Sequence, residues 1–170
     1  MSARQNIELK VRCADLAAVR AALVSLAPAP AVESQTDTYF RVPHGRLKLR
    51  EIDGQPAVLV AYDRPDRGEF RLSTYHLVPA PDPAALKAAL AAVLGSRGSV
   101  RKRREIYLWH NVRIHLDEVA DLGTFVEFEA VLGPGADEAT SRERLHHLGR
   151  WLGVADAEPV PVSYADLLGL

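Results

Sequence analysis

The stretch from Arg113 to Glu129 contains the residues whose types and spacing could do chemistry. Polar and apolar residues alternate along both of its halves, which is the period of a β-strand, whose successive side chains point to opposite faces. His115 and Asp117 share a face in the first half, and Glu127 and Glu129 share one in the second. Two carboxylates at this spacing lie about 6.5–7 Å apart and repel each other unless a cation or basic side chains lie between them. The pattern indicates either a water-exposed sheet face or a cation-binding site.

Strands joined by tight turns must position these carboxylates. The segment D-L-G-T, with its turn-competent Gly123, predicts that the two halves form an antiparallel hairpin. Alternation predicts further strands at residues 6–12, 36–42, 46–52, 57–64, 69–78 and 100–108. The turns between strands are short, with P-H-G at 43–45, D-G at 53–54, P-D-R-G at 65–68 and H-N at 110–111. Short turns favour antiparallel pairing, so we expect about eight antiparallel strands.

Helices are predicted between and after these strands. Apolar spacing, caps and stop residues place three of them, at residues 15–26, 82–94 and 137–152. Pro28 and Pro30 are expected to end the first helix, and Gly95 the second. A proline-rich break at 79–83 separates the fifth strand from the second helix, and the chain finishes in a proline-punctuated tail with the short apolar end S-Y-A-D-L-L.

The length, composition and net charge of the chain limit the classes of protein to which it can belong. A chain of 170 residues with 48% apolar and 25% charged residues fits one globular domain, residues 1–170. The net charge of −1 argues against a protein that coats nucleic acid. Cys13 is the only cysteine, so the chain has no internal disulfide and suits a reducing cytosol. With neither a signal-peptide pattern nor an apolar run of membrane-spanning length, we expect a cytoplasmic protein without membrane partners, for which a homodimer is one compatible assembly.

The charged strand faces allow two interpretations. They are either the solvated side of an ordinary half-buried sheet or the lining of a closed barrel. The segregation of basic and acidic strands, together with amphipathic helices able to cover the apolar backs, favours the second, because eight twisted strands tend to curl and close. We therefore expect an α+β fold, an eight-stranded antiparallel closed β-barrel with helices packed outside. Its lumen would hold the cations Lys10, Arg12, Lys48, Arg50, Arg64, Arg71, Lys102, Arg104 and Arg113, and the carboxylates Glu8, Asp117, Glu127 and Glu129.

A lumen with more cations than carboxylates needs an anionic guest. A polyphosphate neutralises confined lysines and arginines through charge-assisted hydrogen bonds. The carboxylates would repel such a guest unless they hold a hard divalent cation such as Mg²⁺ or Mn²⁺. The composition thus fits a metal-dependent triphosphate site, and the chain contains neither a Walker glycine loop nor a Rossmann fingerprint.

The order of six motifs resembles the CYTH superfamily, the triphosphate tunnel metalloenzymes named for class IV adenylyl cyclases and thiamine triphosphatases. The motifs are N-I-E-L-K at 6–10, D-T-Y-F-R-V at 37–42, G-R-L-K-L-R at 45–50, Y-D-R-P at 62–65, V-R-K-R-R at 100–104 and the acidic hairpin at 113–129. The resemblance implies a triphosphate tunnel and a Mg²⁺ or Mn²⁺ cofactor. The family's N-terminal motif has two glutamates, and Asn6 replaces the first of them here.

The resemblance also implies roles for individual residues. Glu8, Lys10, Glu127 and Glu129 are the candidate catalytic residues, and Glu8, Asp117, Glu127 and Glu129 the candidate metal ligands. Phosphate binding falls to Lys10, Arg12, Lys48, Arg50, Arg64, Arg71, Lys102, Arg104 and Arg113. We expect one ion to lie between Glu127, Glu129 and a facing Glu8, and the pKa of these carboxyls to be raised without it. His115, Tyr39 and Tyr62 are weaker candidates for a role on the same faces.

These residues are compatible with more than one function. The leading hypothesis is hydrolysis of a phosphoanhydride bond in tripolyphosphate or in a nucleoside or organic triphosphate. The same apparatus would act as a class IV-type adenylyl cyclase, making cyclic AMP and pyrophosphate from ATP, if a ribose hydroxyl attacked instead of water. A non-catalytic polyphosphate- or nucleotide-binding module is the third possibility, since Asn6 weakens the metal-binding motif. Nucleic acid is an unlikely partner because alternation spreads the basic residues of V-R-K-R-R over two faces.

Overall fold

Eight antiparallel strands close into a barrel with four helices on its outside. The structure, a computed structural model, describes residues 3–26, 29–66 and 69–170. Around the barrel the strands follow the order β1-β5-β4-β3-β2-β6-β7-β8, and β8 pairs with β1 to close it. The strands are β1 (Arg4–Arg12), β2 (Ala31–Phe40), β3 (Arg46–Ile52), β4 (Ala57–Asp63), β5 (Arg71–Ala80), β6 (Ser96–Trp109), β7 (Val112–Val119) and β8 (Gly123–Val131). The predicted α+β closed barrel is confirmed.

The helices are short and begin at side-chain caps. They are α1 (Leu16–Leu23), α2 (Pro83–Leu94), α3 (Glu138–Trp151) and α4 (Tyr164–Leu167). The first three begin at Asp15, Asp82 and Asp137, whose side chains accept a backbone N–H of the first turn. Ser163 and Asp166 form a reciprocal capping box at the start of α4.

The outward apolar faces of the strands form the core with the helices. Buried residues of β1, β7 and β8 pack against α1 and α3, and a smaller cluster of β2, β3, β4 and β5 packs against α2. Leu145, Leu148 and Ile114 are fully buried in the larger cluster. Each such side chain stabilises the fold by roughly 1.5–3 kcal/mol. Because the apolar residues of each strand face outward to the helices, the charged residues at alternate positions face inward.

Several predicted boundaries were wrong. The strand predicted at 36–42 begins at Ala31, and the one predicted at 100–108 begins at Ser96. The strand predicted at 69–78 runs from Arg71 to Ala80, so Pro79 belongs to it and not to a break. α4 is a fourth helix that was not predicted, in the apolar end of the tail.

Two predicted boundaries lie partly outside the described residues. Pro28 was expected to stop the first helix, but α1 already ends at Leu23. Two residues of the predicted P-D-R-G turn, positions 67 and 68, are likewise outside. The predicted turn after Ile52 is present, and Gly54 has the positive φ of 73° that glycine tolerates best. Within residues 3–26, 29–66 and 69–170, the longest helices are too short or too polar to cross a membrane.

Candidate active site

Inward-facing side chains fill the barrel lumen with charge. Residues at every second position of each strand face the barrel axis, as the alternation predicted. Nine of these charged side chains are less than a tenth exposed: Glu8, Lys10, Asp37, Arg64, Arg71, Lys102, Arg104, Asp117 and Glu127. Lys48, Arg50 and Glu129 are half-buried beside them. Charges removed from water at this density require partners, so the pairing inside the lumen decides what it can bind.

A histidine and two glutamates form the one group of close metal-type ligands found among the described residues. His115 Nδ1 lies 3.3 Å from Glu127 Oε2, and His115 Nε2 lies 4.0 Å from Glu129 Oε2. The three ligand atoms lie within 4.8 Å of one another. Register explains the grouping, because His115 of β7 is the Cα partner of Glu127 of β8. One imidazole and two carboxylates fit a divalent cation, and the nitrogen ligand suits Mn²⁺ and other transition metals better than Mg²⁺.

Glu8 and Asp117, which we expected to complete the metal site, are instead engaged by arginines. Arg64 donates to Glu8, and Tyr164 and Arg104 donate to Asp117, the tyrosine hydroxyl at 2.7 Å. Burial raises the pKa of Glu8 against the opposing effect of Arg64, and repulsion from Glu127 and Glu129 raises it further.

The pKa of Asp117 is shifted in the opposite direction to that of Glu8. Burial would raise the pKa of Asp117, but the two hydrogen bonds from Arg104, at 2.6 and 2.5 Å, lower it below its usual range. Asp117 is also fully buried. The close group of ligand atoms contains His115 with Glu127 and Glu129, and the metal roles of Glu8 and Asp117 stay predictions.

Glu127 contradicts the prediction that its pKa is raised in the metal-free protein. Burial alone would raise it, but Arg104 donates to Glu127 Oε2 at 2.7 Å, and His115 and Lys10 also lie nearby. These groups hold the pKa of Glu127 well below its usual range. The prediction considered only the repulsion by Glu129 on the same strand, whereas neighbouring strands supply the compensating charges.

Asp37 is a buried lumen carboxylate to which the sequence analysis assigned no role. It accepts hydrogen bonds from Lys48 at 2.9 Å, from Arg50 at 2.8 and 2.9 Å, and from Lys102 at 3.0 Å. Burial would raise its pKa, but Arg50, Lys102 and Lys48 hold it well below its usual range. Alternation along the strand gave a signal, because Asp37 shares its strand face with Tyr39, but its pairing with Arg50 on the neighbouring strand became visible only in the structure.

Cations outnumber carboxylates in the lumen even after this pairing. The cations are Lys10, Lys48, Arg50, Arg64, Arg71, Lys102, Arg104 and Arg113, against Glu8, Glu33, Asp37, Asp117, Glu127 and Glu129. Nε and Nη2 of Arg71 and Nε of Arg64 are buried without a hydrogen-bond partner in the described part of the chain. Burial lowers the pKa of Lys102 to about 7 and that of Lys10 to about 8. Each of these features would be relieved by a multivalent anion.

Two of the predicted phosphate-binding arginines lie apart from the others. Arg12 is exposed, donates to the Leu122 carbonyl at 3.0 Å and lies 4.9 Å from the Phe125 ring centroid. Arg113 lies 3.7 Å from Glu129, with 40% of its side chain exposed. The structure brings together the other seven cations. Arg113 lines the wider lumen cavity with Lys48, Arg50 and Arg104, whereas Arg12 lines neither lumen cavity.

Tyr39 and Tyr62 line the charged part of the lumen beside Lys48. The Tyr39 hydroxyl lies 3.5 Å from the Lys48 ammonium. Burial is the largest cause that raises the pKa of both tyrosines above their ordinary value. Both therefore remain protonated at neutral pH and act as hydrogen-bond donors, not as bases.

Comparison with known proteins supports this geometry. The CYTH domain family model matches residues 4–164. The chain belongs to the CYTH family. A comparison with curated protein sequences finds no match.

Solved structures with the same fold come from archaea, bacteria and plants. The PH1012 protein of Pyrococcus horikoshii is 24% identical, with a TM-score of 0.82 over 95% of this chain and 98% of that one. A candidate adenylate cyclase of Vibrio parahaemolyticus is 20% identical, with a TM-score of 0.76 over 97% and 98%. A candidate adenylyl cyclase of Hippeastrum that has a dominant triphosphatase activity is 17% identical, with a TM-score of 0.65 over 88% of each chain. At these identities the likeness shows the CYTH fold.

Proposed function

We propose that this CYTH protein is a divalent-metal-dependent enzyme that hydrolyses a phosphoanhydride bond of a triphosphate. One observation carries the proposal: a buried, cation-rich lumen whose arginines keep unpartnered N–H groups lies directly beside the His115, Glu127 and Glu129 group. Cations alone would support only binding. A group of metal ligands next to these cations would add a divalent ion, which phosphoryl transfer requires to neutralise the developing charge.

Seven lumen cations would bind and orient the phosphate chain. Arg104, Lys48 and Arg50 are held in place by Asp117, Glu127 and Asp37. Held donors keep their geometry while negative charge redistributes over the phosphoryl oxygens, which is the basis of electrostatic stabilisation. The arginines remain charged at any working pH. Burial lowers the pKa of Lys102 to about 7 and that of Lys10 to about 8, and a bound anion would favour the charged form of both lysines.

His115, Glu127 and Glu129 would hold the divalent ion. A bound divalent cation bridges phosphate oxygens and lowers the pKa of a coordinated water. Glu127 stays ionised because Arg104 and His115 hold its pKa low, so it offers a charged oxygen at neutral pH. Asn6, which replaces the family's first glutamate, lies in the lumen with a buried, unpartnered Oδ1 in the described structure. It contributes a neutral ligand at most.

The test measures phosphate and pyrophosphate release from tripolyphosphate and ATP, with Mg²⁺ and with Mn²⁺, and cyclic AMP in the same samples. Phosphate release that depends on the metal supports the hydrolase. Cyclic AMP with stoichiometric pyrophosphate would support the cyclase, the second candidate, which the similarity to the Vibrio protein favours. The similarity to the Hippeastrum protein, with its dominant triphosphatase activity, favours the hydrolase. Binding of tripolyphosphate without any product would identify a binding module and contradict catalysis.

A further inference from the structure

The C-terminal segment, residues 159–170, packs across one end of the lumen. Its backbone joins the barrel wall, where the Val160 N–H donates to the Lys10 carbonyl at 2.7 Å. The carbonyl of Val160 accepts a hydrogen bond from Arg71 at 2.8 Å, and the next carbonyl accepts one from Arg64 at 3.1 Å. The segment is therefore part of the lumen wall, although it lies outside the eight strands in the sequence.

Tyr164, the first residue of α4, contacts lumen charges of both signs. It is buried and lines a charged cavity of about 70 Å³. The ammonium groups of Lys10 and Lys102 lie 4.2 and 5.5 Å from its ring centroid. Its hydroxyl donates to Asp117 Oδ2 at 2.7 Å. The capping box of α4 fixes the backbone from which this side chain extends, so the ring and the hydroxyl are both held in place.

A continuous chain of hydrogen bonds connects this hydroxyl to the group of metal ligands. Asp117 Oδ2 accepts from Tyr164 and also, at 2.5 Å, from Arg104 Nη2. The same Arg104 nitrogen donates to Glu127 Oε2 at 2.7 Å. His115 Nδ1 lies 3.3 Å from that glutamate oxygen. Each contact shares an atom with the next, so a shift of Asp117 would be passed on to the Glu127 oxygen.

Asp117 determines where Arg104 lies between two carboxylates. Nε and Nη2 of Arg104 both donate to Asp117, at 2.6 and 2.5 Å, whereas Glu127 receives a single hydrogen bond from Arg104. The paired contact is the stronger one, so the guanidinium follows Asp117. Among the described residues, Tyr164 is the other side chain that donates to Asp117. Without the tyrosine hydroxyl, Asp117 and Arg104 would be free to move together, and the Glu127 oxygen would lose its fixed position.

We propose that the Tyr164 hydroxyl is a positioning group of the divalent-ion site. It acts through Asp117 and Arg104, which hold the Glu127 oxygen where an ion can share it with the other two ligands. The affinity for the ion therefore depends on the C-terminal segment, which supplies none of the three ligands. This inference rests on the proposed function, because that function places the ion at the histidine–glutamate group.

The test compares two substitutions that each remove one hydroxyl. Tyr164→Phe removes the hydroxyl that donates to Asp117 and keeps the ring in the lumen. Tyr107→Phe is the matched control, since Tyr107 is also buried and its hydroxyl also donates to a buried carboxylate, Glu105, at 3.1 Å. This second pair lies outside the lumen, where Glu105 also accepts from Arg20 of α1. Titration of Mn²⁺ by electron paramagnetic resonance measures the affinity for the ion, and thermal melts without metal measure stability.

We expect Tyr164→Phe to weaken Mn²⁺ binding roughly tenfold, the lower scale of losses when an outer-shell partner of a metal ligand is removed. Tyr107→Phe should leave the Mn²⁺ affinity unchanged. Both variants lose one hydrogen bond to a buried carboxylate, so their melting temperatures should fall by comparable amounts. A purely structural role for Tyr164 would lower the melting temperature without a change in Mn²⁺ affinity.

The possible failures of this inference and of the proposed function can be told apart. Wild-type Mn²⁺ affinity in Tyr164→Phe, or an equal loss in both variants, would overturn the positioning role alone. A wild-type protein that binds no Mn²⁺ would overturn the proposed function and this inference with it. Tripolyphosphate binding in metal-free buffer is a further readout, which Tyr164→Phe should change much less than Mn²⁺ binding. Equal losses of both affinities would mean that the hydroxyl maintains the whole lumen, and would contradict a specific role at the ion site.

Discussion

Individual charges in this lumen are stabilised by charged groups on neighbouring strands, as the contacts of Glu127 show. Its neighbour on the same strand, Glu129, repels it, yet Arg104 and His115 from two other strands keep it ionised. Removing one partner of a buried ion pair leaves the other charge uncompensated, which costs more than the repulsion that is relieved. The residue therefore has a structural role in addition to its proposed role as a metal ligand.

Glu127→Gln should destabilise the metal-free protein by about 3–5 kcal/mol, because the buried Arg104 loses one carboxylate. It should also remove most of the stabilisation that Mn²⁺ gives, which follows RT ln(1 + [metal]/Kd). Thermal melts with and without Mn²⁺ measure both effects. Glu118→Gln is the control, since Glu118 of β7 has a half-exposed side chain on the outer face. A metal-free Glu127→Gln protein as stable as the wild type would show that the pairing with Arg104 contributes little.

Substitutions of His115 and of Glu8 should weaken metal binding to different extents. His115→Gln should weaken Mn²⁺ binding roughly tenfold or more, the lower scale of losses at metal sites, because it removes the nitrogen ligand. Glu8→Gln should have a smaller effect, since Arg64 already engages Glu8. Titration of Mn²⁺ by electron paramagnetic resonance measures both affinities directly. A larger loss in Glu8→Gln would return Glu8 to the metal site in place of His115.

Most of the residues in the lumen were predictable, but their partners were not. Alternation alone determines that Lys48, Arg50, Lys102 and Glu127 face inward once the apolar backs face the helices. Alternation does not determine which strands are neighbours or their register. Asp37 was missed for this reason, as its importance comes from Lys102, 65 positions away along the chain. By alternation along β1, Arg12 belongs to the inward-facing set, but it lies at an exposed strand end, beyond the charged part of the lumen.

At the scale of elements, Asp37 joins three strands through one carboxylate. It lies on β2, its partners Lys48 and Arg50 on β3, and Lys102 on β6. Asp37→Asn should therefore destabilise the protein by about 3–5 kcal/mol, since the buried Lys102 and the half-buried Lys48 and Arg50 lose their shared anion. Tripolyphosphate should restore stability to this variant by more than it stabilises the wild type, because the ligand supplies the missing negative charge.

Thermal melts with and without tripolyphosphate test this prediction. Asp63→Asn serves as the control, since Asp63 is exposed at the end of β4. A smaller tripolyphosphate shift in Asp37→Asn than in the wild type would mean that Asp37 organises the site and that its charge is not replaced by the ligand.

The elements themselves differ in how well the sequence predicts them. β3 was predicted with its observed bounds because residues 46–50 alternate strictly and the P-H-G and D-G turns enclose the seven-residue segment. Pro79 misled the prediction, since proline lacks the N–H that a strand needs on a paired edge. In the barrel Tyr75 is the last β5 residue paired with β1, so Pro79 lies where β5 has a neighbour on one side only. α4 is a single turn stabilised by tertiary contacts, which sequence periodicity does not detect.

At the scale of the whole molecule, the chain has a net charge of only −1, yet closure of the sheet places more cations than carboxylates in the interior. Closure buries Lys102 and Lys10 among other cations and lowers their pKa values to about 7 and about 8, from an ordinary value of 10.5. Between these values and 10.5 the unfolded chain binds protons that the folded protein does not. The stability of the ligand-free protein should therefore rise as the pH rises from about 7 to 10.

A bound polyphosphate should reverse this proton balance. Its negative charges favour the protonated lysines, so binding at pH 9 should take up protons, approaching one for each of Lys102 and Lys10. Calorimetric titration of tripolyphosphate in two buffers of different ionisation enthalpy measures the uptake, after the protons that the ligand itself exchanges at this pH are measured separately and subtracted. Lys102→Met should remove about one of these protons. Lys87→Met should remove none, because Lys87 lies on the outside of the barrel, on α2, paired with Glu51. Binding at pH 9 with no proton uptake would show that neither buried lysine contacts the phosphate chain.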